Sequence, residues 1–177
     1  MEKESSKKVK LTVVVIDASK LYQLARFVCK NADKPDKLDS EAVVKEPQNV
    51  WEVILAAQNK NYLLATTVMN AKRAWEAYKK KELAGKIPEE EIEKLKELYL
   101  KNLELLQLAV FSEECYEDIL PECIEFLQDD DPEAEDSHAL ALARALSEVA
   151  EEVLLWTSDK DFARAASLGI KVVSKLI

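Results

Sequence analysis

One run of apolar residues constrains the fold more than any other feature of this chain. Residues 10–17 read KLTVVVID, so an almost unbroken apolar stretch ends abruptly at Asp17. A strand without polar alternation is typical of a sheet that is buried on both faces, as parallel sheets covered by helices are. The run therefore predicts an α/β protein, with Asp17 at the carboxyl end of a buried strand.

Strand-like and helical segments alternate along the rest of the chain. The predicted strands cover residues 10–17, 62–68, 106–111, 153–158 and 170–174. Amphipathic helical segments separate them, which predicts a parallel sheet built with right-handed crossovers. We therefore expect a three-layer α/β/α sandwich with a five-stranded parallel sheet. A flexible charged N-terminus is expected over residues 1–10, and a single domain over residues 11–177.

Composition narrows the classes of function. The chain has only two glycines, Gly85 and Gly169, so it carries no Gly-rich phosphate loop, Rossmann fingerprint or G-x-S-x-G motif. Its net charge of −9 argues against a general nucleic-acid coat, because nonspecific binding depends on cations that neutralise phosphates. A nuclease with an acidic metal site stays compatible with this charge, since bound cations cancel part of it.

The chain shows no sign of export or of membrane insertion. Its apolar runs are too short to span a bilayer, and the first ten residues lack the apolar segment of a signal peptide. Cys29, Cys115 and Cys123 are odd in number and widely spaced, which favours free, mostly buried thiols over disulfides or a zinc site. We therefore expect a cytoplasmic protein with no membrane partner.

Three aspartates are expected at one edge of the sheet. Asp17 and Asp159 follow predicted strands, and Asp136 opens the helix that leads into the fourth strand. Such a helix starts at the edge where the strands end, so the three carboxylates should converge there. Converging carboxylates repel one another unless a cation lies between them. The alternative is local, because Asp136, and Asp159 or Ser158, are also suitable caps for the helices that follow them.

Three segments together resemble the PIN domain, the fold of VapC-type toxin ribonucleases and of several RNA-processing nucleases. They are VVVIDAS at residues 13–19, DSHALALARAL at 136–146 and LLWTSDKDFARAASLGIKVV at 154–173. Their order and their strand and helix context make the resemblance more specific than any one motif. It implies a five-stranded parallel sheet and an acidic pocket that holds Mg²⁺ or Mn²⁺.

The resemblance also implies roles for individual residues. Asp17, Asp136 and Asp159 match the family's aspartates and are the implied catalytic and metal-binding residues, with Asp161 as a further ligand. Short carboxylates fixed at strand ends supply hard oxygen ligands and leave positions open for water and phosphate. The supporting polar groups expected beside them are Ser19, Asn70, Thr157 and Ser158.

One position departs from the family pattern. A glutamate normally opens the helix after the second strand, but residues 66–75 read TTVMNAKRAW, with Asn70 and Ala71 at the expected place. We interpret Ala71 as the position of the lost acid. The pocket would then bind a divalent ion more weakly, unless Glu135 or Asp161 compensates. Two functions follow: a metal-dependent endoribonuclease of the toxin or RNA-processing type, or a catalytically weakened PIN-fold module that binds RNA or protein.

Expected partners are RNA and a protein, either an antitoxin or a component of a processing complex. Five basic residues of one helical segment could track an RNA backbone, although a solvated helix face is the simpler interpretation: Lys72, Arg73, Lys79, Lys80 and Lys81. The predicted helix at residues 88–106 has more apolar positions than one core face requires, so it should either cover the sheet or form a homodimer surface. We interpret His138 as a partly exposed helix residue rather than a catalytic base.

Overall fold

Five parallel strands form the centre of the molecule. The computed structural model describes residues 8–128, 131 and 134–177. The strands are β1 (Val9–Ile16), β2 (Leu63–Thr67), β3 (Ala109–Phe111), β4 (Ala150–Trp156) and β5 (Lys171–Val173). Neighbouring strands all pair in parallel, in the order β3-β2-β1-β4-β5. The predicted five-stranded parallel sheet is confirmed.

Helices provide the crossovers between these strands. They are α1 (Ala18–Lys30), α2 (Val50–Asn59), α3 (Val68–Tyr78), α4 (Glu89–Leu105), α5 (Leu120–Leu127) and α6 (Glu135–Ser147). A π-helical turn at Lys79–Leu83 continues α3, and 3₁₀ turns cover Glu113–Cys115 and Lys160–Leu168.

The two faces of the sheet bury separate cores. Val14 and Ile16 of β1 pack with residues of α1, α2, α3 and α4. Val13 and Val15 pack on the opposite face with residues of α5 and α6. Successive side chains of a strand point to opposite faces, so the unbroken apolar run of β1 fills both cores. The three-layer α/β/α sandwich predicted from that run is confirmed.

β1 also sets the position of a crevice at the edge of the sheet. It lies between β2 and β4, and the chain proceeds from β1 to one side of the sheet and returns later on the other. A parallel sheet opens a crevice beyond the carboxyl ends of its strands where the strand order reverses. In this sheet the reversal occurs at β1, whose last residue is followed by Asp17.

Some predicted boundaries differ from the observed ones. β1 begins at Val9, two residues before the predicted domain start, and residues 1–7 of the expected flexible N-terminus lie outside the described residues. β3 is shorter than predicted, because Leu106 still caps α4 and Gln107 turns the chain with a φ of 58°. α6 has Ala134 as its N-cap, so Asp136 lies in the first turn and is not the cap.

The long helix α4 begins after Pro88, as predicted, and its apolar face enters the core. Ile92, Tyr99 and Leu103 are buried against α1 and α3, whereas Leu100 is 47% exposed. Most of the apolar face of α4 therefore packs in the core. The homodimer surface stays a prediction.

The helices and the cysteines bear on the expectations of no membrane partner and of free thiols. No helix in the described ranges is both long and apolar enough to cross a membrane. The three cysteines are free, but only Cys123 is buried, while Cys29 is half-buried and Cys115 is exposed. Of the three thiols that were expected to be mostly buried, one is fully buried.

Candidate functional site

Asp17 is a buried carboxylate at the carboxyl end of β1. Only 2% of its surface is exposed. Thr157 Oγ1 donates a hydrogen bond of 2.7 Å to its Oδ2 atom, and Ser19 Oγ donates one of 3.1 Å to the same oxygen. The sheet register explains the first contact, because Ile16 pairs with Trp156 and the next residue of each strand therefore meets the other. Asp17 is thus held by groups from two adjacent strand ends.

The same hydroxyl groups also organise the loop after β4. Thr157 Oγ1 accepts the backbone N–H of Asp159 at 2.9 Å, and Ser19 Oγ accepts that of Ser158 at 3.0 Å. Each hydroxyl therefore donates to Asp17 and accepts from the loop. This arrangement links the position of Asp159 to the position of Asp17. The predicted supporting residues Ser19, Thr157 and Ser158 all take part in it.

Asn70, in the first turn of α3, contacts Asp17 from the side of β2. Thr67 caps α3 and accepts the backbone N–H of Asn70 at 2.9 Å, while its own hydroxyl donates to Asn70 Oδ1 at 2.5 Å. The amide nitrogen of Asn70 then lies 3.0 Å from the carbonyl oxygen of Glu135 and 3.4 Å from Asp17 Oδ1. Asn70 is fully buried, so this amide faces Asp17 in a fixed orientation.

Ala71 lies on a different side of α3. It lines a second, apolar groove of about 510 Å³ between α3, α4 and β3, which we call the apolar groove. The backbone carbonyl of Ala71 accepts the Tyr99 hydroxyl at 3.2 Å on that side. The interpretation of Ala71 as the place of the lost acid is therefore wrong, because neighbouring helix positions point about 100° apart. Asn70 is the residue of this pair that contacts Asp17.

The three predicted aspartates line one cavity. Its volume is about 330 Å³, and its lining includes Asp17, Asp136 and Asp159. Glu135 contributes a fourth acidic side chain. We call this the acid cavity. Asp136 and Asp159 are half-buried, in contrast to the buried Asp17, and each has further interactions. Three acids from distant parts of the chain thus meet at the edge expected from the strand order.

Burial dominates the electrostatics of Asp17. Its removal from water raises the pKa of the carboxyl group above its ordinary value of 3.8, and the hydrogen bonds from Thr157 and Ser19 oppose this change. Burial also lowers the pKa of the nearby Lys20, an effect that the charge of Asp17 opposes. The ammonium of Lys20 lies 5.5 Å from the centre of the Trp156 ring. Burial therefore favours the neutral form of the Asp17 carboxyl group, and the hydrogen bonds favour its charged form.

The acid cavity suits a divalent cation in the type of its ligand atoms. Carboxylate oxygens are the donors that Mg²⁺ and Mn²⁺ take in proteins. No three Asp, Glu, His or Cys side chains of the described residues, however, are grouped closely enough to hold one ion. The side chain of Asp161 lies outside the described part of the chain, so its predicted ligand role stays a prediction. The amide of Asn70 donates toward Asp17, and its oxygen is used by Thr67.

The predicted basic residues divide between the two cavities. Arg73 lines the acid cavity, where its guanidinium lies 3.6 Å from a carboxylate oxygen of Glu76 and of Asp131. Lys72 lines the apolar groove instead, and Lys79 lines neither the acid cavity nor the groove. Tyr22 and Lys81 also line the acid cavity; Tyr22 was not predicted from the sequence, whereas Lys81 was among the lysines that could track an RNA backbone. Tyr22 lies three residues after Ser19, and Lys81 lies eight residues after Arg73. Helical spacing could therefore have placed each on the same helix face as its predicted neighbour.

His138 is not the exposed residue that the sequence suggested. It is 1% exposed, and its Nδ1 atom lies 2.7 Å from the hydroxyl of Tyr116. The two rings meet edge to face, with their centres 5.5 Å apart. The prediction of partial exposure is therefore wrong, because α6 is packed on the sheet and its apolar neighbours carry this position into the core. Trp156 and Phe162 are buried, as expected of packing residues.

Sequence comparisons add no family to this description. A scan against protein-family models found no match, and no curated protein is significantly similar to the chain. The resemblance to the PIN domain thus rests on the motifs themselves.

Proposed function

We propose that the acid cavity is the active site of a metal-dependent endoribonuclease. The observation that carries the proposal is the meeting of Asp17, Asp136 and Asp159, from three distant parts of the chain, around one cavity at the carboxyl edge of a parallel sheet. This is where open α/β sheets bind their ligands. The motif resemblance supplies the reaction class, hydrolysis of RNA phosphodiester bonds.

The proposed roles rest on the lining of the acid cavity and on the motif resemblance. Asp17, Asp136 and Asp159 are the residues that would hold Mg²⁺ or Mn²⁺. A bound divalent ion supplies an activated water and stabilises charge on phosphate oxygens. Thr157 and Ser19 hold the Asp17 carboxylate in place through their hydroxyl groups. Ligands fixed in this way lose little freedom on binding, which favours the function.

A second function is favoured by one specific observation. The side chain that contacts Asp17 from α3 is the neutral amide of Asn70 where the family carries a glutamate, and the described acids are not grouped closely enough to chelate an ion. A cavity with a reduced acid set suits a catalytically weakened PIN-fold module. In that case the chain binds RNA or a protein without cleaving it.

The proposed setting is the cytoplasm. Three cysteines without a disulfide suit a reducing compartment. An antitoxin or a processing-complex protein is the proposed protein partner, and RNA is the proposed substrate.

The deciding experiment measures cleavage of a fluorescent single-stranded RNA with Mn²⁺, with Mg²⁺ and with a chelator. The wild type should cleave only with a divalent ion. Asp17→Asn and Asp159→Asn should each lower the rate by about 100-fold or more, the scale seen when charge stabilisation is removed from an active site. Asp118→Asn is the matched control, because Asp118 is exposed and does not line the acid cavity.

The outcomes separate the two functions. Cleavage that persists unchanged in Asp17→Asn would overturn the proposed site, since the activity would then come from elsewhere or from a contaminant. A wild type that binds the RNA but does not cleave it under any metal condition supports the binding module.

A further inference from the structure

The acid cavity is longer than its acidic end. α1 and α3 both start at the carboxyl edge of the sheet and pack against each other along their length. Ala18 and Tyr22 of α1, and Ala74 and Ala77 of α3, all line the cavity. Five residues of α-helix span about 7.5 Å, so Tyr22 lies about that far along α1 from Asp17. The cavity therefore continues beyond the aspartates between the two helices.

The small side chains of α3 leave this space open. Ala74 and Ala77 stand on the lining face of α3, and Lys81 follows one turn later in the π-helical turn Lys79–Leu83. π-Helical turns in otherwise α-helical segments are frequent at functional sites. The turn places an exposed cation at the far end of the cavity, away from Asp17, Asp136 and Asp159.

Tyr22 and Lys81 form a pair at that end. The Lys81 ammonium lies 6.0 Å from the centre of the Tyr22 ring, and within the described residues it makes no ion pair. The Tyr22 hydroxyl donates to Glu82 at 3.3 Å, and Tyr78 meets the ring edge to face with centres 5.7 Å apart. These contacts orient the ring, while it remains half-exposed and lines the cavity.

We infer that Tyr22 and Lys81 bind the nucleotide next to the reacting phosphodiester, with an unpaired base against the Tyr22 ring and a phosphate at Lys81. The inference deepens the proposed function and rests on it for the identity of the ligand. An aromatic ring and a cation side by side match the two parts of every nucleotide, a π face and a phosphate. A base held in a duplex is already stacked and paired, so the pair selects single-stranded RNA.

Charge gives Lys81 a further role. A polyanion that approaches Asp17, Glu135, Asp136 and Asp159 is repelled before any metal is bound. Arg73 already lies near two carboxylates, so part of its charge is compensated. Among the described residues that line the cavity, Lys81 is the other cation, and it attracts the backbone on the side away from Asp17, Glu135, Asp136 and Asp159. Both residues are positioning residues, since neither touches the reacting phosphate.

The test compares four variants with the wild type in a chelator, where no cleavage occurs, by fluorescence anisotropy of a short labelled single-stranded RNA. Tyr22→Leu should weaken binding by about 10-fold, the scale of one lost base stack. Tyr22→Phe keeps the ring and should bind like the wild type. Lys81→Gln should weaken binding about 3-fold and lower the salt dependence by about one counterion. Lys72→Gln, with the same charge change on the opposite side of α3, is the matched control.

Cleavage kinetics with Mn²⁺ give a second measurement. A purely structural role of the two residues would not change KM alone. Tyr22→Leu and Lys81→Gln should raise KM by the same factors as they raise Kd, with kcat nearly unchanged, and Lys81→Arg should restore KM. A duplex of the same sequence should bind equally weakly to wild type and variants.

The outcomes keep this inference apart from the proposed function. Cleavage by the wild type with unchanged KM in Tyr22→Leu and Lys81→Gln overturns the inference and leaves the nuclease standing. Binding that these two variants weaken, in a wild type that never cleaves, supports the inference and removes the nuclease. Equal loss in Lys72→Gln and Lys81→Gln overturns it, because binding would then follow net charge alone. A thermal melt of each variant excludes misfolding as the cause, and Tyr22→Phe and Lys81→Arg remain informative if Tyr22→Leu fails to fold.

Discussion

α3 lies between two cavities that differ in their lining, the apolar groove and the acid cavity. Their chemical difference is more informative than their difference in volume. The apolar groove is the larger, at about 510 Å³ against about 330 Å³, and its lining includes Trp75, Leu100 and Val110. The acid cavity is smaller and contains a buried carboxylate with oriented hydroxyl donors. Charged side chains line the groove as well, but the buried, hydrogen-bonded carboxylate that the proposed phosphodiester chemistry would use lies in the acid cavity.

The two cavities also differ in how well their lining residues should tolerate substitution. Around Asp17 nearly every polar atom has a named partner, so a single change leaves a buried group unsatisfied. The apolar groove includes exposed positions, since Leu100 and Val110 are 47% and 42% exposed. Substitutions of the side chains that hydrogen-bond around Asp17 should therefore cost much stability, and those at the exposed positions of the groove little. Asn70 and Ala71, adjacent in sequence, offer the most direct comparison.

The largest effect is expected for Asn70→Glu. This change places a second carboxylate against Asp17 in a fully buried position and should lower the free energy of unfolding by about 3–5 kcal/mol without metal. Mn²⁺ should recover part of the loss if the added acid becomes a ligand. Ala71→Glu enters the apolar groove and should cost about 1 kcal/mol with no response to Mn²⁺. Urea unfolding of both variants measures the difference, and the reverse order would show that the two faces of α3 are assigned wrongly.

Removing one hydroxyl should have the next largest effect. Thr157→Val keeps the shape of the side chain but takes away the 2.7 Å donor to Asp17 and the acceptor for the Asp159 N–H. We expect a loss of about 1–3 kcal/mol in the free energy of unfolding. The reciprocal change in the groove, Val110→Thr, should alter it by less than about 0.5 kcal/mol. Similar values for the two variants would contradict the view that the acid cavity alone is strictly specified.

The charge of Asp17 should appear as a pH dependence of stability. Its pKa is raised in the folded state, so the folded protein binds this proton more tightly than the unfolded chain does. Stability contributed by the group is then present below the ordinary pKa of 3.8 and is lost as the pH rises through the folded pKa. Asp17→Asn should remove this decline and melt at a higher temperature than the wild type near neutral pH, without metal.

The same variant tests the metal. Mn²⁺ should raise the melting temperature of the wild type and leave that of Asp17→Asn unchanged. An equal rise in both proteins would remove Asp17 from the ligand set. The pH dependence is measured by thermal melts of both proteins between pH 4 and pH 7. The difference in melting temperature between the two proteins at each pH cancels the contributions of all other groups.

The smallest effect on folding is expected in the apolar groove. Leu100→Asp alters an exposed position and should change the free energy of unfolding by less than about 0.5 kcal/mol. If the predicted homodimer uses this face, the variant should be monomeric at concentrations where the wild type pairs, as light scattering would measure. Val43→Asp, at a 79% exposed loop position, is the control. A wild type that stays monomeric at high concentration removes the dimer.

Much of the fold could be predicted because it depends on local pattern. The unbroken apolar run of β1 requires helices on both faces, and the alternation of segments requires parallel crossovers. From these two facts follow the three layers and the shared edge of Asp17, Asp136 and Asp159. The order of the motifs led to the proposed reaction class. None of this depends on which individual side chains touch.

The tertiary structure decided the contacts that depend on how each helix is rotated. Packing of Trp75 on Tyr99 orients α3, and this sets Asn70 rather than Ala71 toward Asp17. The burial of His138 beside Tyr116 follows in the same way from the packing of α6 on the sheet.

Helical periodicity in a sequence shows which face is apolar, but the partners of a polar group come from residues far away in the chain. Thr157 reaches Asp17 across 140 positions and Asn70 reaches it across 53. Tyr22 and Lys81 meet at the end of the acid cavity for the same reason, since α1 and α3 are adjacent only after the sheet has formed. The sequence by itself thus determined the sheet and the edge where the acids gather, and only the packing of the helices decided which side chains complete the site.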